Sequence, residues 1–293
     1  DRNVFHLEFE TKGTGLKYEI GDALGVHGDN DPILVEEFLQ SYDLNPKTII
    51  SFQRGQGLFE ERTIEQLFIQ QVDIFGRPSK KFYKSLSQFA KDETEKTHLE
   101  YLASSEGASE FKERVSKTIT FADVLEEFKS ARPPVETLVE LIGPIKPRHY
   151  SIASSMKMHP NSVHLLVVLV DWEVTTTDGE KRKRYGQCTR FLSQLQVGQF
   201  ITVSVKPSVM KLPEEHKTPI IMAGLGTGMA PFRAFIEERA FIKAQQKLEG
   251  KEEEIGKVVL YFGSRHRSQE YLYGEELEAY ERDGILTRLG LAF

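Results

Sequence analysis

The stretch IMAGLGTGMAPFRAF, at residues 221–235, restricts the possible folds of this 293-residue chain more than any other. An apolar run typical of a buried strand leads into Gly224, Gly226 and Gly228, and an apolar run with helical spacing follows. Glycine is favoured where the backbone has positive φ or where another group approaches it closely. A glycine-rich loop between a strand and a helix is typical of phosphate binding at the helix N-terminus. A tight turn that binds nothing is the alternative interpretation of this motif alone.

The final third of the sequence alternates between strand and helix patterns. Strands are predicted at 219–223, 257–262 and 285–291, and helices at 229–248 and 270–281 lie between them. This order predicts a parallel sheet with crossover helices, which is an α/β domain.

The rest of the chain combines strands with a long helical segment. Residues 1–30 alternate apolar and polar side chains as half-buried strands do, and β-branched runs return after residue 144. Between them, Asp31 and Pro32 suit the start of a helix, and helical patterns continue to about residue 143. We therefore predict a helical segment inserted into a β-rich part.

Charge and cysteine content exclude several classes of protein. The formal net charge of −6 and the scattered Lys and Arg residues argue against nucleic-acid binding. Cys188 is the only cysteine, which excludes an intrachain disulfide and a metal–thiolate cluster and fits a reducing cytosol. We predict no metal site, because His6, His27, His98 and His216 lack ligand spacing.

The sequence also lacks signs of membrane or secretory targeting. No apolar run approaches the roughly 18 residues that a spanning helix needs, and no signal peptide is recognisable. We therefore expect a cytoplasmic protein with no membrane segment in this chain. Because the chain has no initiator Met and its ends resemble strands, we expect it to be a piece of a longer protein.

The stretch RHYSIASS, at residues 148–155, is the second candidate site. Arg148 offers a guanidinium fork that suits a diphosphate. Tyr150 offers a flat aromatic face, and Ser151 offers a hydroxyl that can donate or accept beside it. An exposed strand with a core tyrosine is the alternative interpretation.

The stretch YGQCTRFL, at residues 185–192, is the third candidate site. Gly186 opens a predicted helix, whose first N–H groups are available to an anion. Taken alone, the stretch is better explained by a glycine before an ordinary capped helix. For Cys188, packing is a better explanation than a redox role, although a helix N-terminus favours a thiolate.

Together these stretches resemble the ferredoxin–NADP reductase-like FAD–NADPH module of the diflavin reductases. This family includes the cytochrome P450 reductases and the sulfite reductase flavoproteins. The resemblance covers essentially the whole chain and extends to GSRHRSQEYLYGEEL near the C-terminus. SVKPSVMKLP, at residues 204–213, is most similar to the fungal assimilatory sulfite reductase flavoproteins (the alpha component).

The resemblance implies a multi-domain β + α + α/β fold. Residues 1–30 and 144–213 would form an antiparallel flavin-binding β-barrel, and residues 31–143 an inserted helical domain. Residues 214–293 would form a parallel α/β NADPH-binding domain that is truncated at its C-terminal end. Residues that bind the 2′-phosphate are expected to follow Phe293.

The resemblance also assigns the FAD-binding residues. Arg148 would pair with the FAD diphosphate, Tyr150 would stack on the isoalloxazine ring, and Ser151 would act as the catalytic residue near flavin N5. The backbone at Val168 would border the flavin, and Trp172 would cover the adenine. Backbone N–H groups of one turn would bind the FAD diphosphate: Gly186, Gln187, Cys188 and Thr189.

A second set of residues is assigned to the nicotinamide cofactor. Gly224, Thr227 and Gly228 would hold the NADPH diphosphate in the glycine-rich loop. Arg265 and Arg2 match family arginines that meet the NADP phosphates.

The function implied by the resemblance is that of an NADPH-dependent flavoprotein oxidoreductase. Electrons would pass from NADPH through FAD to an FMN domain outside this chain and to a sulfite reductase hemoprotein (beta) subunit, in sulfate assimilation. The alternatives are an NADPH–cytochrome P450 reductase-type electron donor and a non-catalytic scaffold subunit that retains the fold.

Overall fold

A computed structural model describes residues 2–54, 57–175, 181–251 and 255–293. Contacts divide the chain into two compact units. The first, here called the sheet unit, comprises Asp1–Val26, Arg148–Leu169 and Thr202–Phe293. The second, the helical unit, comprises His27–Pro147 and Val170–Ile201. The domain boundaries expected at residues 30, 143 and 213 stay a prediction.

The described residues form strands and helices in the following order along the chain. They are β1 (Val4–Glu10), β2 (Ala23–His27), α1 (Pro32–Ser41), β3 (Ile49–Arg54), β4 (Leu58–Thr63), α2 (Ile64–Gln70), α3 (Lys80–Ser87), α4 (Glu93–Ala103), α5 (Ala108–Ser116), α6 (Phe121–Glu127), α7 (Val135–Ile142), β5 (Arg148–Ser151), β6 (Ser162–Val168), β7 (Asp171–Thr175), β8 (Lys181–Tyr185), α8 (Gln187–Ser193), β9 (Thr202–Lys206), β10 (Ile220–Leu225), α9 (Ala230–Leu248), β11 (Val258–Gly263), α10 (Arg267–Glu270), α11 (Gly274–Arg282) and β12 (Arg288–Ala292). None of the helices formed by these residues is long and apolar enough to cross a membrane.

The antiparallel strands of the sheet unit form two small sheets. β1 pairs with β6, and the register places Glu8 opposite His164. A second sheet has the order β5-β2-β9, and a single bridge between Ile152 and Leu165 connects β5 to β6. In the helical unit, β7 pairs with β8 as a separate hairpin. Among the described residues, the strands of the expected flavin barrel therefore do not form one closed sheet. The chain after Ser151 pairs with β6 through a single bridge instead of a continuous ladder of hydrogen bonds.

The C-terminal part of the sheet unit contains a three-stranded parallel sheet of order β10-β11-β12, as the alternating pattern predicts. One face of this sheet carries Met222 and Leu260, which are buried with Ile236 of α9. The other face carries Ile221 and Leu225 on β10, which lies at the edge of the sheet, and both side chains are largely exposed.

The helix predicted at 270–281 begins four residues later in the structure, as α11 (Gly274–Arg282), and the short α10 ends at Glu270. Tyr273, at the N-cap of α11, has a left-handed backbone with φ of 57°. Gly274 follows it, and a Cβ there would overlap the ring of Tyr271. A helix cannot pass through a left-handed residue, so it ends and begins again.

The helical unit is organised around the apolar faces of α1 to α7. Phe68, Leu86, Leu99 and Leu125 are among the side chains at the centre of its core. Several of its helices begin with a side-chain cap, and α6 has a complete capping box at Thr120. The β3–β4 hairpin within this unit was not expected, although β3 begins with the β-branched pair Ile49 and Ile50.

Gly21 and Gly15 provide a test of the packing of the sheet unit. Both have left-handed φ, of 91° and 72°, but a Cβ on Gly21 would overlap the carbonyl group of Met210, whereas Gly15 faces open space. Gly21→Ala should therefore lower the thermal denaturation midpoint by several degrees more than Gly15→Ala. The difference corresponds to about 2 kcal/mol or more. Equal midpoints would contradict the packing described for Gly21.

Candidate cofactor-binding site

The two units divide the predicted site residues between them. The sheet unit contains Arg148, Tyr150, Ser151, Val168, Gly224, Thr227, Gly228, Arg265 and Arg2. The helical unit contains Trp172, Gly186, Gln187, Cys188 and Thr189.

Strand β5 presents Arg148 and Tyr150 on one face. Their partners on β2 are Val26 and Leu24, which are buried, so this face rests on a fixed apolar base. The Arg148 side chain is exposed, and no hydrogen bond or ion pair joins it to any residue that the structure describes. An exposed guanidinium of this kind retains all its donors for a diphosphate.

On the opposite face of β5, side chains cover the backbone of Gly25, which is the β2 partner of His149. An added Cβ on Gly25 would lie 2.5 Å from Ser204 Oγ and 3.3 Å from the ring of His149. The His149 ring therefore packs against the backbone of β2. Ser151 is exposed opposite Ala23, at the end of the strand.

The turn at Gly186 is held by side-chain and backbone contacts within the helical unit. Thr189 Oγ1 donates to the Gly186 carbonyl oxygen and accepts from the Val170 N–H, each at 3.2 Å. A Cβ on Gly186 would lie 2.9 Å from that hydroxyl. Packing therefore explains the glycine, and no side chain caps the N–H groups of α8. These N–H groups are donors that suit an anion.

The side chains of Gln187 and Cys188 stabilise the same turn. Gln187 Nε2 donates to the Gly28 carbonyl oxygen at 2.7 Å. Cys188 is buried, and a Cβ on Gly28 would lie 3.2 Å from its Sγ. The thiol thus packs against Gly28, as the interpretation of Cys188 as a packing residue expects.

Trp172 and Val168 lie on strands that belong to different units. The half-buried Trp172 donates from its indole N–H to Thr118 Oγ1 at 2.9 Å, which fixes the ring orientation. Val168 ends β6 opposite Val4. Their expected contacts with the adenine and the flavin stay predictions.

The three glycines of the loop after β10 lack side chains for different reasons. A Cβ on Gly224 would lie 2.9 Å from the Phe232 ring, so packing within the chain requires this glycine. Gly226 has a left-handed φ of 52° and begins a 3₁₀ turn over Gly226–Met229, where the Thr227 carbonyl accepts from the Ala230 N–H. Neither reason applies to Gly228.

Gly228 is exposed, and its Cβ position is open. No described residue fills the space that a side chain at Gly228 would occupy, so packing does not explain this glycine. The open backbone fits the approach of a ligand. No side chain caps the 3₁₀ turn or α9, which follows it. An anion at this point would lie at the N-terminus of a 19-residue helix.

The structure brings the charges of Arg265 and Arg2 to the same carboxylate. Arg265 donates to Glu270 from its backbone N–H and from its guanidinium, both at 3.2 Å. Burial alone raises the pKa of Glu270, but the hydrogen bonds from Arg265 and the charges of Arg265 and Arg2 hold this pKa below its usual value. Arg265 is thus held against Glu270, and Arg2 acts on this carboxylate through its charge alone.

Sequence spacing missed one cluster, which the register between β1 and β6 creates. His6, Glu8 and His164 bring three possible ligand atoms within 4.8 Å of one another. However, Arg233 Nη1 lies 3.4 Å from His164 Nδ1, so a cation there would face a guanidinium. Burial, with the charge of His159 as the next cause, lowers the pKa of His164 to about 4. We assign no metal to this cluster.

Comparison with known protein families identifies the two domains of the chain. Residues 1–191 match the FAD binding domain family, and residues 222–286 match the oxidoreductase NAD-binding domain. The chain therefore belongs to the FAD binding domain family, and a nicotinamide-nucleotide-binding oxidoreductase domain follows within it.

Individual relatives narrow the class further. The chain is 50% identical, over its whole length and 28% of the relative, to the sulfite reductase [NADPH] flavoprotein component of Saccharomyces cerevisiae. It is 47% identical, with the same coverage, to the probable sulfite reductase [NADPH] flavoprotein component of Schizosaccharomyces pombe. It is 34% identical, over its whole length and 44% of the relative, to the NADPH–cytochrome P450 reductase of Rattus norvegicus. The chain thus spans less than half the length of each relative.

Arg148→Ala should leave a folded protein that loses most of its FAD. Loss of a charged hydrogen-bonded pair with the diphosphate costs about 1.5–3 kcal/mol, or roughly ten- to a hundredfold in affinity. FAD content after gel filtration measures the effect, with Arg282→Ala, an exposed arginine of the same unit, as control. Full FAD retention in Arg148→Ala would show that the guanidinium does not bind the cofactor.

Gly228→Val should weaken NADP⁺ binding about tenfold or more without lowering the denaturation midpoint. The valine would meet open space within the chain and would block only a ligand at the backbone. Gly224→Val is the matched variant, because it should lower the midpoint through its overlap with Phe232. Calorimetric titration with NADP⁺ measures the affinity, and an unchanged value for Gly228→Val would remove this backbone from the nucleotide site.

Proposed function

We propose that this chain is the FAD- and NADPH-binding module of a flavoprotein reductase. The observation that carries the proposal is that one compact unit contains both the exposed Arg148–Ser151 motif and the open backbone of Gly228. A reductase that passes a hydride between two cofactors needs both binding motifs on one rigid support. The match of both domain families supports the same function.

In the proposed flavin site, the residues of β5 act on different parts of FAD. Bound FAD supplies the redox chemistry, since it accepts a hydride and passes electrons on singly. Arg148 neutralises the charge of the diphosphate. Tyr150 orients the ring system by stacking, and Ser151 holds a proton in a hydrogen bond near N5.

In the proposed nucleotide site, the loop of Gly224, Thr227 and Gly228 binds the NADPH diphosphate through backbone N–H groups. Arg265 and Arg2 supply positive charge for the phosphates. The carboxylate of Glu270 holds the Arg265 guanidinium in place until the nucleotide arrives.

For the electron acceptor, we propose an FMN centre and then a sulfite reductase hemoprotein subunit. The higher identity to the two sulfite reductase flavoprotein components, 50% and 47% against 34% for the cytochrome P450 reductase, supports this choice. On this proposal the protein serves sulfate assimilation in the cytoplasm.

Ser151→Ala should retain FAD but slow its reduction by NADPH about a hundredfold, because hydrogen-bond or proton assistance of this kind is worth that much. Stopped-flow absorbance of the FAD-loaded protein measures the rate. Ser116→Ala, on an exposed position of α5, is the control. An unchanged rate would exclude Ser151 from the reaction, and a protein that neither binds FAD nor oxidises NADPH would favour a scaffold subunit.

A further inference from the structure

The segment that follows Ser151 is anchored by buried hydrogen bonds. Ala153, Ser154 and Ser155 are completely buried. The Ala153 N–H donates to the His164 carbonyl oxygen at 2.8 Å, and the Tyr18 hydroxyl donates to the Ser154 carbonyl oxygen at 3.0 Å. The strand that carries the proposed flavin contacts is thus continued by a rigid segment.

Two carboxylates of α9 bind the end of this segment. The backbone N–H of Ser155 donates to Glu237 Oε2 at 2.7 Å, and its hydroxyl donates to Glu238 Oε2 at 2.6 Å. Lys157 pairs with Glu238 at 2.6 Å. Glu237 is only 1% exposed, which is rare for a carboxylate.

Arg233, one turn earlier on α9, completes the network. Its Nη1 donates to the Ala153 carbonyl oxygen at 2.6 Å, and its Nη2 lies 2.9 Å from Glu237 Oε1. His159 Nε2 lies 3.0 Å from the same carboxylate oxygen. Burying charges is costly, and well-packed apolar side chains often stabilise a fold as well as a buried ion pair does. What the ion pairs add is a fixed orientation of α9 against the segment.

The network lies close to both proposed binding motifs along the chain. Ser155 follows Ser151 by four residues, at most about 13 Å of extended chain. Glu237 follows Ala230, the first residue of α9, by seven residues, or about 10 Å of helix. The Glu237 contacts therefore join the flavin strand to the helix of the glycine-rich loop.

We propose that Glu237 is a positioning residue for hydride transfer, holding the flavin strand and the nucleotide helix at one relative placement through Ser155 and Arg233. The inference rests on the proposed function. The described contacts of Glu237 are with Ser155, Arg233 and His159 and include neither Arg148–Ser151 nor the glycine-rich loop. Its loss should therefore change the alignment of the two rings more than the binding of either cofactor.

Glu237→Gln tests this role, because it keeps the side-chain length and removes the charge that faces Arg233 and His159. In the FAD-loaded protein, we expect FAD content unchanged and the Kd for NADPH within threefold of the original value. The limiting rate of flavin reduction at saturating NADPH should fall at least tenfold, since a misplacement of about 1 Å can cost a hundredfold. Ser155→Ala should give a smaller fall in the same rate. Glu275→Gln, on an exposed position of α11, is the control.

The outcomes separate a positioning role from a structural one. A lower denaturation midpoint with an unchanged limiting rate would overturn the proposal, as would a rate that falls only because FAD or NADPH binding is lost. If Glu237→Gln does not fold, Glu238→Gln and Ser155→Ala are judged by the same rate, and unchanged rates in both would overturn it. If NADPH also fails to reduce FAD in a longer version of the original protein that includes the residues expected to follow Phe293, the proposed function itself is wrong, and no variant is needed to show this.

Discussion

The guanidinium of Arg233 is the contact on which the sheet unit most depends. It joins the Ala153 carbonyl, the Glu237 carboxylate and, through Nε at 3.2 Å, the Glu276 carboxylate of α11. It also lies over the ring of Tyr273, 4.8 Å from its centre. One side chain thus connects the segment that follows β5 with α9 and α11, two helices of the parallel-sheet region. A single buried cation with partners on several elements fixes the relative placement of these elements more strictly than apolar contacts do. Each of its charged hydrogen bonds requires a particular direction, whereas apolar contacts do not.

The parallel sheet could be predicted because its signals are local. The strand runs and the glycine-rich loop lie within a few residues of each other, and the observed order β10-β11-β12 agrees with the tendency of consecutive strands to lie side by side. The left-handed backbone of Tyr273 could not, since residues other than glycine rarely adopt it and no local signal marks it. The β3–β4 hairpin was missed for a related reason, because helical patterns on both sides concealed two short strands.

The candidate cofactor-binding site shows the same limit of prediction from local sequence signals. The motifs around Arg148, Gly186 and Gly224 were visible in the sequence, but the reason for each glycine was not. Gly224 is required by Phe232 and Gly186 by Thr189, contacts that spacing alone cannot distinguish from ligand binding. The meeting of His6 with His164 depends on the register of two strands more than 150 residues apart. Non-local pairing of this kind leaves no periodic signal along the chain.

The exposed face of the parallel sheet has a consequence for the behaviour of the chain in solution. Ile221 and Leu225 are 76% and 78% exposed on β10, and β10 is the edge of the sheet. An edge strand with unpaired backbone groups and bare aliphatic side chains is a template on which another strand can add. Neither proline nor an inward-pointing charge interrupts the run Ile220–Leu225. At high concentration, molecules of this chain would therefore associate edge to edge, and dilution or a charged residue on that strand would keep them apart.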